Sequence, residues 1–166
     1  MRSVFFILIS VFLFTGCKDD NVKTTNPIQS SSSNVEAGTL LANPITYDVI
    51  IRNPDPDDAW TSERLEELDL KKLVKIVFQS VEDGKTTAYN YHTGERMSIT
   101  DIKNLEQTDE FDKSKIGKIQ FIEDWYFDED LLIMSKKVKS IMLAYEVYDQ
   151  FGKIRGYKAG FRVDLN

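Results

Sequence analysis

A single cysteine, Cys17, leaves this 166-residue chain without an intramolecular disulfide or a cysteine-rich metal site. A single histidine, His92, rules out zinc binding through several imidazoles and gives any triad only one imidazole to use. That histidine lies in a turn beside Gly94, so we read it as an exposed turn residue rather than a catalytic base. No glycine-rich phosphate loop is present. Gly152, Gly156 and Gly160 are spaced by four, but they fall in a hairpin and a strand rather than at a helix start. Ser62, Ser80 and Ser98 lack the surroundings of a nucleophile elbow. Basic residues are outnumbered, with 21 Lys and Arg against 27 Asp and Glu and a formal charge of −6. That balance argues against nucleic acid, whose phosphates need clustered cations. Together these absences leave no catalytic constellation, and we expect no enzyme, no cofactor and no metal.

What is there begins with an address. Arg2 precedes an almost unbroken apolar run from Val4 to Phe14, followed by Thr15-Gly16-Cys17. Eleven apolar residues match the hydrophobic region of a signal peptide and fall short of the roughly 20 needed to span a bilayer. Small residues before a cysteine resemble the bacterial lipobox, with Phe14 where leucine is usual. We therefore read residues 1–16 as a lipoprotein signal peptide and Cys17 as the lipidated mature N-terminus. Several acyl chains on one residue anchor far more firmly than a single chain, at about 0.8 kcal/mol per buried CH₂. The plainer alternative is a secretory signal cleaved elsewhere, with Cys17 a free thiol. Lys18-Asp19-Asp20 resembles the acidic export tag of surface lipoproteins of the Bacteroidetes, or else begins an ordinary polar tether.

Residues 18–43 are rich in Ser, Thr and Asn and contain Pro27 and the run Ser30 to Ser33. Such a segment buries too little apolar surface to offset ordering entropy. We read residues 17–43 as lipidated cysteine plus flexible tether, with a coil span of about 25–30 Å.

Residues 44–166 carry the domain. Ile45 to Ile51 reads as a strand, and Asn53-Pro54-Asp55-Pro56-Asp57-Asp58 as its turn. Thr61 or Ser62 offers a helix cap. Leu70, Leu73, Val74, Val77, Phe78 and Val81 form one helical stripe, stopped by Gly84. Asp69 offers a second cap, so one helix or two short ones fit. Thr86 to Tyr91 reads as a strand, and Ser98 with Asp101 caps a short helix over 99–106. In Lys118 to Phe127, Ile119, Phe121, Trp125 and Phe127 share a face, with Glu123 as the exception. Leu131 to Tyr148 has two competing phases. Asp149 to Gly152 is a hairpin turn, and Tyr157 to Leu165 alternates cleanly. The pattern predicts an α+β domain: a small antiparallel sheet, with a three-stranded C-terminal meander, packed with two or three helices.

Two acidic groups have calcium-ligand chemistry, Asp55/Asp57/Asp58 and Asp128/Glu129/Asp130, but neither has an EF-hand pattern, and we read both as solvated turns. Lys136, Lys137 and Lys139 suit a solvated edge that resists strand addition, or a contact with an acidic partner.

Glu123-Asp124-Trp125-Tyr126-Phe127-Asp128 is the most distinctive run in the chain. It resembles a segment of the GldN/PorN family of the type IX secretion and gliding apparatus of Bacteroidetes. Leu68 to Leu73, Asp83-Gly84-Lys85 with Ala88-Tyr89, and Gly152 to Tyr157 are also similar in order, so the likeness spans roughly residues 60–162. It implies a non-catalytic scaffold that docks with proteins of a secretion or motility complex. Family members are longer and usually soluble in the periplasm, and their arginine and Ile-Gly run is altered here to Lys137-Val138-Lys139-Ser140-Ile141. Trp125, Tyr126, Phe127, Asp128, Lys137 and Lys139 are the candidate partner-binding residues. Successive strand residues alternate faces, so Trp125 and Phe127 oppose Tyr126. One face is then an aromatic interface, or else Trp125 and Phe127 are core and Tyr126 packs beneath the edge. The expected function is a lipid-anchored accessory subunit in the outer membrane, facing the periplasm rather than the cell surface. The alternatives are a surface lipoprotein that binds a glycan or other extracellular ligand and, well behind, a small lipid-anchored hydrolase.

Overall fold

The computed structural model describes residues 38–165. The expected signal peptide, the candidate lipidation site Cys17 and the expected tether up to residue 37 lie outside the described residues. No described helix is long and apolar enough to cross a membrane.

The elements run β1 (Thr39–Ile50), α1 (Ala59–Leu65), α2 (Leu70–Glu82), β2 (Ala88–Tyr89), α3 (Ile99–Glu106), a 3-10 turn (Lys113–Lys115), β3 (Ile116–Asp128), β4 (Ile133–Tyr148) and β5 (Ile154–Asp164). The α+β class holds. The sheet is larger than the expected three strands: five antiparallel strands lie in the order β1-β3-β4-β5-β2. β1 begins at Thr39 rather than Ile45, so Thr39 to Asn43, read from composition as tether, are strand residues. Thr39 lies opposite Phe127 and Leu40 opposite Tyr126, a pairing between residues almost ninety positions apart that local composition cannot show. Register shifts between Leu40 and Ile45 accommodate Pro44, which an edge strand tolerates because its missing N–H interrupts no central ladder. Gly38 is required where the chain joins the sheet. Its φ is +105°, and a Cβ there would lie 2.4 Å from the Phe127 carbonyl oxygen.

The helical region resolves into two helices. Asp58, not Thr61 or Ser62, caps α1, accepting hydrogen bonds from the Thr61 N–H (3.0 Å) and hydroxyl (2.6 Å). Asp69 caps α2 by accepting the Lys72 N–H at 2.9 Å. Ser98 and Asp101 form a capping box on α3. β2 is only two residues long.

α2 and α3 cover one face of the sheet. Val74, Val77, Phe78 and Val81 of α2 and Ile102 of α3 join Ile119, Leu143, Tyr145, Phe161 and Val163 in one apolar core. Phe78 meets Phe161 edge-on, and Phe111 meets Tyr145 in the same way, each with ring centroids 5.0 Å apart.

β4 carries a bulge that accounts for its two phases. Ile122 faces Ser140, but Glu123 faces Val138, so Lys139 is an extra residue. Ile141, Leu143 and Tyr145 point to the core after it, whereas Val138 and Lys136 do so before it. β5 reaches only to Ser140 on β4, and no described strand lies beside Ile133 to Val138 on that side.

Candidate docking surfaces

The predicted partner-binding residues all lie in the half of the sheet beyond the helices. Trp125 and Phe127 point to the core side and Tyr126 to the other, as alternation requires. All three are half-buried. Glu123, the charged residue on an apolar face, is only 3% exposed, and its carboxylate is fully engaged. It accepts from the Trp125 indole N–H (2.9 Å) and the Tyr47 hydroxyl (2.8 Å), with Lys136 Nζ at 3.8 Å. The Lys136 ammonium also sits 4.7 Å over the Trp125 ring. Burial, then the hydrogen bond to Glu123 and its charge, push the Tyr47 hydroxyl up to about 12. On the opposite side Lys139 Nζ holds Asp124 at 2.9 Å and donates to Asn43 at 3.2 Å, while Lys137 faces Asp124 in the register. Asp128 accepts the N–H groups of Asp130 and Leu131 and so fixes the β3–β4 turn. These contacts give Trp125, Asp128 and Lys139 structural duties, and the strand is less free for a partner than its aromatic run implies.

The other acidic turn is spent in the same way. Asp55 accepts the Asp57 N–H at 3.0 Å, and Asp58 is the α1 cap. Hydrogen bonds from Thr61 hold the Asp58 carboxyl below its usual range. No group of three metal-ligating side chains is assembled among the described residues. His92 is exposed, meets Tyr91 edge-on at 5.3 Å, and borders an open groove of about 750 Å³ with Glu110, Tyr145 and Lys158.

A surface that the sequence did not reveal lies at the other end of the sheet. A groove of about 800 Å³ runs along α2, floored by Leu70, Val74 and Phe78 and rimmed by Arg52, Lys71, Lys75 and Lys113. Three separate segments supply those cations. Arg52 follows β1, donates to the Ser114 carbonyl, and lies 3.6 Å from Glu146. Lys113 sits 4.1 Å over the Phe78 ring and pairs with Glu106 at 2.7 Å. Asp112 fixes that turn by accepting the Ser114 N–H at 2.7 Å, and the hydrogen bonds from Ser114 hold its carboxyl below the usual range. Lys71 and Lys75 make no ion pair among the described residues. Only Asp69 and Glu82 add negative charge to this rim. The arrangement can seat an apolar side chain on its floor while its rim attracts carboxylates.

Neither a protein-family model nor a curated protein matches the chain.

Proposed function

We propose that the chain is a lipid-anchored, non-catalytic docking subunit of the type IX secretion and gliding apparatus, held through Cys17 on the periplasmic side of the outer membrane. The likeness of residues 60–162 to the GldN/PorN family supports the setting. The α2 groove carries the docking itself: a concave apolar floor ringed by four cations, on a chain whose formal charge is −6. Its occupant is an acidic amphipathic segment of a partner protein, with apolar anchors on Leu68 and Leu70 and carboxylates toward Lys71 and Lys75.

The test is purification of the tagged, lipidated protein from its native membrane, with a photo-crosslinking residue in place of Gln79, which is exposed in the same groove, and mass spectrometry of the adducts. Secretion-ring or motor subunits crosslinked through acidic peptides, and lost in the Lys71→Glu/Lys75→Glu variant, are the expected result. Absence of those subunits, with the domain open to protease added to intact cells, would sink the reading and leave a surface binding protein.

A further inference from the structure

The β3–β4 hairpin end gathers six exposed large apolar residues, whereas Phe151, 79% exposed, stands in the other hairpin. Leu131 and Leu132 are 67% and 76% exposed, and Ile133, Met134, Leu40 and Leu41 are also open to solvent. The register brings them together: Leu40 lies opposite Tyr126, Met134 opposite Phe127 and Ile133 opposite Asp128. They therefore form one apolar end to the sheet, where a soluble surface would scatter such residues singly.

Leu132 adds a second observation. It is the one described non-glycine residue with positive φ, at +53°. A bulky side chain is disfavoured there, and glycine or asparagine is the usual solution. This chain uses that solution in its other hairpin. There Asp149 accepts the N–H groups of Phe151 and Lys153, and Gly152 takes the left-handed position at φ +78°. In the β3–β4 turn Asp128 plays the part of Asp149, but a leucine stands in the left-handed position. An unfavourable conformation that holds an apolar side chain in water points to a function outside the fold.

The path of the chain says what covers this end. Gly38 joins the sheet against the Phe127 carbonyl, beside the apolar residues. Only twenty residues separate it from Cys17, a contour of at most about 70 Å in any conformation. We infer that the β3–β4 hairpin tip, with Leu40 and Leu41, inserts into the interfacial region of the bilayer to which Cys17 is anchored. The inference rests on the lipid-anchor reading of Cys17. A second attachment point on an already tethered domain acts at high effective concentration, so a small apolar tip is enough. Glu129 and Asp130 flank the apolar run, so the tip suits zwitterionic headgroups better than anionic ones. An inserted tip stands β3 on end and lifts the α2 groove about 40 Å from the headgroups, given roughly 3.3 Å per strand residue.

The experiment uses the full lipidated protein in vesicles of phosphatidylethanolamine and phosphatidylcholine. Cys17 is the only cysteine, and acylation blocks its thiol, so Leu132→Cys supplies a single site for an environment-sensitive fluorophore. Gln150→Cys, exposed in the opposite hairpin, is the control. The expected result is a blue-shifted 132 label, quenched several-fold more strongly by nitroxide lipids than the 150 label. Equal quenching of both labels by aqueous iodide, with none from the lipids, would overturn the inference. A 132 label shielded from both quenchers would also overturn it, in favour of a protein contact. Thiol labelling of the unsubstituted protein would instead overturn the anchor reading, and the inference with it.

Discussion

The two halves of β4 bury their neighbours by different means. From Ile141 to Val147 the strand lies under α2 and α3, and burial is apolar: Leu143 and Tyr145 are each 2% exposed among Phe78, Phe111 and Phe161. From Ile133 to Lys137 the strand contributes no described residue to that core, and Val138 packs only at its margin. There the centre is a carboxylate, Glu123, shielded by Tyr47, Trp125 and Lys136. The first half draws its stability from area removed from water. The second depends on every donor keeping its acceptor, because an unmade hydrogen bond in a dry site costs more than a made one contributes.

Substitutions break this comparison in a definite order. Phe161→Ala, in the backed half, should cost about 3–5 kcal/mol by urea denaturation, since it opens a cavity against Phe78. Glu123→Ala should cost about 1–3 kcal/mol by leaving the Tyr47 hydroxyl and the Trp125 N–H without their acceptor. Alkaline titration sharpens the same point. The Tyr47 proton is held to about 12 against an ordinary 10.0, so its contribution is complete below pH 10 and is lost as pH rises through 12. Tyr148 and Tyr157 are also pushed up, by the hydrogen bond from Tyr148 to Glu146 and by burial of Tyr157. The measurement is therefore the difference between the wild type and Tyr47→Phe, which should lose part of the decline between pH 10 and 12. Leu132→Gly should raise stability by about 1 kcal/mol, because it relieves a left-handed leucine. Last, Lys71→Glu/Lys75→Glu should shift stability by no more than about 0.5 kcal/mol, as expected for exposed side chains without ion pairs.

The sequence showed what local chemistry determines. The Ser98–Asp101 box, the Asp149–Gly152 turn and the alternation of Trp125, Tyr126 and Phe127 are all decided within a few residues. It missed what distant segments decide together. Thr39 to Asn43 have tether composition and become strand only because β3 is there to pair with. Lys71 and Lys75 look like the wet side of an amphipathic helix until Arg52 and Lys113 arrive from elsewhere to complete the rim. Glu123 looked like a break in an apolar face because its donor Tyr47 lies 76 residues away.

The extra residue at Lys139 has a consequence for how this strand tolerates change. Every residue from Ile133 to Val138 owes its facing direction to that single insertion rather than to its own side chain. Deleting Lys139 would leave the frame as it is, because Ser140 would then alternate directly with Val138; pairing Lys139 regularly with Glu123 would instead turn Lys136 and Val138 outward, and Lys137 and Ser135 toward Trp125.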